Sequence, residues 1–115
     1  MSQAGVAAVR SVFFERRELD LILSIYGRAV SAGIWRDYAM DALPDRALFS
    51  IYQRASEAPL YQVEKRPALA RRQGAFSVTA AGGLILRRGP ELAPVLAVLE
   101  RKLLRLIPGS AFASD

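Results

Sequence analysis

The sequence predicts a single α+β domain: an N-terminal helix, a four- to five-stranded antiparallel meander, and a C-terminal helix packed on the sheet. Three observations carry this. Residues 46–67, RALFSIYQRASEAPLYQVEKRP, read as two strands joined by a polar turn that ends in Pro59. Residues 76–87 repeat the two-strand pattern around Ala81-Gly82-Gly83. On either side, residues 19–30 and 92–106 carry apolar side chains at helical spacing. A hairpin alone is marginal in water, so these flanking segments are needed to cover it.

Taken in order, residues 1–11 read as a flexible leader, small and weakly apolar. They lack the charged start and long apolar run of a signal peptide, so the expected location is the cytoplasm. Val12-Phe13-Phe14 is either a short strand or the apolar lead-in to a helix. Glu15 and Glu18 have capping-box spacing, although Glu is a weak N-cap. Leu19, Ile22, Leu23, Tyr26, Ala29 and Val30 then form an apolar stripe with Ser24, Arg28 and Ser31 opposite. Gly33 supplies the stop, so the first helix is expected over residues 16–32.

In residues 34–43, Tyr38 and Met40 alternate with Asp37, Ala39 and Asp41, which favours a strand over a helical turn. Trp35 is expected as a core or rim anchor. The central strands are expected over residues 48–54 and 60–65, and a connector with one helical turn over residues 67–74. The second hairpin is expected over residues 76–80 and 84–87. Leu92, Val95, Leu96, Leu99, Leu103 and Leu106 form the stripe of the last helix. Pro94 argues for a regular start near Ala93, and Pro108-Gly109 for the end. The domain is expected over residues 12–107, with a disordered tail over 108–115.

Composition excludes more than it assigns. The chain has 115 residues, no cysteine and no histidine. Disulfides, thiolate chemistry and thiolate metal sites are absent, as are the commonest general base and the commonest metal ligand. Ser50, Ser56 and Ser77 have no histidine partner, and neither a Gly-x-Gly-x-x-Gly nor a Walker spacing occurs. No stretch reaches the roughly 20 apolar residues of a membrane span. No cofactor is implied.

The net charge is +5, and it is unevenly spread. Residues 1–53 balance, whereas the ten basic groups of residues 54–105 face only Glu57, Glu64, Glu91 and Glu100. Lys65, Arg66, Arg71, Arg72, Arg87 and Arg88 sit at expected strand ends and in the connector. There, guanidinium forks can contact the phosphates of a nucleic acid or the carboxylates of an acidic protein surface. Tyr52 and Tyr61 on the hairpin are candidate base-stacking residues, although core or rim roles suit them better. The competing reading of the whole charge surplus is a solvated face that keeps the protein soluble.

Four phrases run in order along the chain: FFERRELDLILSIYGR at 13–28, WRDYAMDAL at 35–43, the central hairpin at 46–67, and GAFSVTAAGGLILRRG at 74–89. Together they resemble a domain-of-unknown-function family of small alphaproteobacterial proteins. The resemblance covers residues 12–107 and implies a bacterial cytosolic protein, with no activity and no site residues to carry across.

The expected function is therefore a small non-enzymatic binding or regulatory protein that docks its basic surface on a polyanion. A protein-interaction subunit using an exposed apolar sheet or helix face is the second expectation. Leu48, Tyr52 and Leu60 oppose Phe49, Ile51, Tyr61 and Val63, which suggests either a helix on each side of the sheet or a homodimer. The third is a Mg²⁺-dependent nuclease in which antiparallel pairing brings Asp45 and Glu64 together. Against it, Arg66 follows where such sites carry Lys, and Lys65 belongs on the other strand face. Asp37, Asp41 and Asp45, spaced by four, form no site on a strand.

Overall fold

Alternating side chains and short turns pair five strands in chain order into one antiparallel meander. The strands are β1 (Asp37–Ala42), β2 (Ala47–Tyr52), β3 (Tyr61–Lys65), β4 (Phe76–Ala80) and β5 (Ile85–Gly89). Helix α1 (Arg16–Ser31) precedes the sheet and α2 (Leu92–Leu106) follows it. A computed structural model describes residues 11–53 and 58–106. The expected tail, all of the leader but Ser11, and the helix stop at Pro108-Gly109 lie outside the described residues, as do residues 54–57 of the first hairpin turn.

Register fixes which side chains share a face. Met40, Phe49, Val63 and Val78 are successive cross-strand partners; Phe49, Val63 and Val78 form the centre of the helix-covered face, and Met40 lies exposed at its edge. Against them α1 buries Ile22, Ile25 and Ala29, and α2 buries Leu92, Val95, Leu96, Leu99 and Leu103. Both helices thus cover the same face, giving two layers. Trp35 is buried as the expected anchor, its ring 6.1 Å from that of Tyr61.

The α1 stripe is narrower than its sequence suggests. Ile25 takes the buried position between Ile22 and Ala29, while Leu23 and Val30 are exposed. The helix shares the sheet with α2, so only a narrow arc of it meets the core. Arg28, expected on the solvent side, reaches across that seam to Glu100 of α2 at 2.8 Å. Leu106 is likewise exposed at the end of the α2 stripe. Pro94 falls in the first turn of α2, where the missing N–H has no intrahelical acceptor to lose.

Residues 12–14 form the helix lead-in rather than a strand. Val12 N–H donates to Leu43 O at 2.8 Å, Phe14 is buried, and the Glu15 N–H donates to Glu18 Oε1 at 2.7 Å. At the other end Gly33, with φ 76°, takes the left-handed turn that ends α1. Residues 37–42 are a strand, as the alternation of Tyr38 and Met40 with the aspartates implies. The remaining strands keep their expected identity, with bounds moved by one or two residues.

The other face of the sheet is covered by neither helix. Its central row runs Asp41, Leu48, Glu64, Ser77 and Arg88, one residue per strand. Leu60 is not part of it and packs against the core instead, because the chain turns before β3 begins. Leu48 and Tyr52 are half-buried there among polar neighbours, and Ser50 and Ser77 on the same face are buried.

Candidate anion-docking site

The antiparallel order gathers three segments at one end of the sheet. Lys65 pairs with Phe76 and Phe76 with Gly89, so the end of β3, the start of β4 and the end of β5 lie side by side. The connector between β3 and β4 begins with a turn at Pro67–Leu69 and ends at Gly74. Gly74 has φ 95°, and a Cβ there would collide with the Gly89 carbonyl and the Pro90 nitrogen. The connector is thereby held against the chain that follows Arg87 and Arg88. Both helices also start at this end, since Lys65 reaches Glu18 of α1 and α2 follows Gly89 by three residues.

The six expected docking residues separate into two groups. Lys65 turns to the helix face and lies largely buried, its Nζ 2.9 Å from Glu18 Oε1 and 3.0 Å from the Phe13 carbonyl. Arg66 sits between two carboxylates, with Nε 2.9 Å from Glu64 and Nη1 2.9 Å from Asp45. The hydrogen bond to Glu64, the largest cause, and then the fields of Glu64 and Asp45 raise its pKa against a lowering by desolvation. Both cations are neutralised where they stand.

Arg71, Arg72 and Arg87 are exposed and make no ion pair with a described residue. Arg88 is half-buried, and its Nη1 is shielded from solvent without a hydrogen-bond partner among the described residues. Arg87 and Arg88 pair in regular register with Val78 and Ser77, and a bulge at Leu86 of β5 sets them off from Ile85. Arg87 shares a face with Val78, and Arg88 shares the opposite face with Ser77, so the two straddle the edge. A cavity of about 220 Å³ between Arg87, Arg88, Glu91 and Pro94 opens beside them.

Asp45 and Glu64 do come together, as antiparallel pairing requires, and the guanidinium groups of Arg66 and Arg46 lie between them. A cation would have to displace them. Among the described residues no group of three or more acidic side chains is placed to hold a metal ion. Asp37 and Asp41 stay on the open face of β1, apart from Asp45 in the turn. Tyr52 and Tyr61 lie on opposite faces, Tyr61 against Trp35, so they form no common stacking platform.

Sequence reasoning missed the role of Arg66 as a bridge and the asymmetry between Lys65 and its neighbours. The i, i+2 spacing of Glu64 and Arg66 was the available signal, since a strand places both on one face. Among the described residues no helix is long and apolar enough to cross a membrane. No curated protein and no solved structure matches the chain. A family model described as "Protein of unknown function (DUF2794)" matches residues 12–96, and the chain belongs to that family.

Proposed function

We propose that the protein is a non-enzymatic binding module that docks a polyanion on the sheet end formed by the connector and β5. The observation that carries this is the set of four guanidinium groups, Arg71, Arg72, Arg87 and Arg88, without carboxylate partners among the described residues. Lys65 and Arg66 support the surface from within and do not contact the ligand. Arg is suited to this because its planar fork meets phosphate or carboxylate oxygens two at a time.

Binding of a labelled single-stranded oligonucleotide, followed by anisotropy across a salt series, tests the reading. Four phosphate contacts give a slope of log K against log salt of about −2.8. That amounts to a loss of about fifty-fold between roughly 50 and 200 mM salt. Arg71→Glu with Arg72→Glu halves the slope or abolishes binding. A slope near zero, or binding indifferent to that double substitution, overturns the proposal. If the oligonucleotide fails but an acidic protein is retained through the same arginines, the polyanion is a protein surface.

A further inference from the structure

β1 ends the sheet, with β2 as its one strand neighbour among the described residues. Leu43 N–H donates to Arg46 O at 2.8 Å and closes the β1–β2 turn. Alternation from that bond points the backbone groups of Asp37, Ala39 and Asp41 at β2, and those of Tyr38, Met40 and Ala42 outward. The Tyr38 N–H is taken by the Asp37 carboxylate at 2.8 Å, which leaves Met40 and Ala42 to offer the open part of the edge.

Edge strands are commonly guarded by Lys, Pro, a bulge or a covering segment. β5, at the opposite edge, has a bulge and two arginines. β1 carries no Lys, Pro or bulge, and its six pairs with β2 run without a register shift. Among the described residues the covering segment is limited to Val12, whose N–H meets Leu43 O past the end of the strand. Alongside it lies an apolar groove of about 230 Å³ between β1 and the start of α1. Phe13 and Met40 line it and are 62% and 49% exposed. On the other face of the same strand, Asp37 and Asp41 are exposed and make no ion pair with a described residue.

We propose that this edge takes an extended peptide of another protein as a sixth strand, with the pattern basic–apolar–any–apolar–basic. Main-chain bonds to Met40 and Ala42 supply the ladder, as in other strand-addition complexes. The two apolar residues face Tyr38 and Met40 beside the groove, and the basic residues oppose Asp37 and Asp41 on the open face. The guest runs antiparallel, so its two apolar residues lie opposite Tyr38 and Met40 with their N–H groups turned to the edge. A second copy of β1 fits poorly, because pairing would crowd the aspartates of two strands onto one face.

The test is an NMR titration of the full chain with a peptide containing Lys-Val-Thr-Val-Lys. Expected are shifts and slowed amide exchange confined to β1 and the Phe13–Phe14 lead-in. Glutamate in place of both lysines weakens binding roughly tenfold at low salt. N-methylation of both valines, which removes the N–H groups facing the edge, abolishes it. Met40→Asp weakens it as well, at an exposed position where the fold is retained. Arg71→Glu with Arg72→Glu leaves it unchanged, which separates this site from the anion-docking end.

Absence of binding, or shifts away from β1, overturns the proposal. So does binding that survives N-methylation. If the peptide binds only after residues 1–10 are deleted, the chain's own N-terminal segment is the occupant and an outside partner is ruled out. A dimer dissociated by Met40→Asp assigns the edge to a second copy, with the same consequence.

Discussion

Two side chains at the sheet end, Glu18 and Lys65, bear more of the local stability than their positions in the sequence suggest. Glu18 accepts from the Glu15 N–H and from Lys65 Nζ, joining the start of α1 to the end of β3. Glu18→Ala removes a cap and leaves a largely buried ammonium without its carboxylate, a loss of about 2–3 kcal/mol in denaturant unfolding. The half-exposed Arg28–Glu100 pair is the contrast, and Glu100→Ala costs about 0.5 kcal/mol. Gly74→Ala forces a Cβ into the Gly89–Pro90 backbone at a φ that L-residues rarely adopt, with an expected cost of about 3 kcal/mol. Tolerance of alanine there would show that the connector is not held against β5.

At the scale of elements, the central row of the sheet decides packing. Phe49 on β2 is fully buried, with its ring 4.8 Å from that of Tyr38 and 5.9 Å from that of Tyr26. Phe49→Ala therefore costs about 3–5 kcal/mol, read as a lowered denaturant midpoint. Strand identity was legible wherever side chains alternate, and residues 37–42 show this well. The two aspartates and Ala39 take one face and Tyr38 and Met40 the other, as their spacing requires. The α1 stripe was less legible. Leu19, Ile22, Leu23, Tyr26, Ala29 and Val30 all fit a helical period, and Ile25 displaces Leu23 and Val30 only because α2 occupies the adjoining half of the sheet. A periodicity bounds which arc of a helix is apolar, whereas the width of the buried arc depends on neighbours.

Across the whole molecule, burial raises the phenol pKa values of Tyr26 and Tyr61 above the ordinary 10.0, with Asp37 and Tyr38 adding to the effect on Tyr26. The folded phenols hold their protons to higher pH than the unfolded ones. Their contribution is fully present below about pH 10 and is lost as pH rises through the raised values. Stability measured against pH should fall above that point, and less steeply in Tyr61→Phe; equal slopes would deny Tyr61 that part. The same scale separates what the sequence determined from what tertiary structure decided. Composition and periodicity determined the class of fold, the excluded cysteine and histidine chemistries, the strand faces and the basic surplus of the second half, because each depends on residue type and local spacing. Tertiary structure decided which cations meet a carboxylate and which strands end the sheet among the described residues. Lys65 and Arg71 look alike in the sequence, and they differ because register brings Glu18 to one and no acid among the described residues to the other. Strand order, which no local pattern encodes, leaves β1 with a single strand neighbour among the described residues. Pairing and exposure are relations between distant residues, so they exist only once the chain has closed on itself.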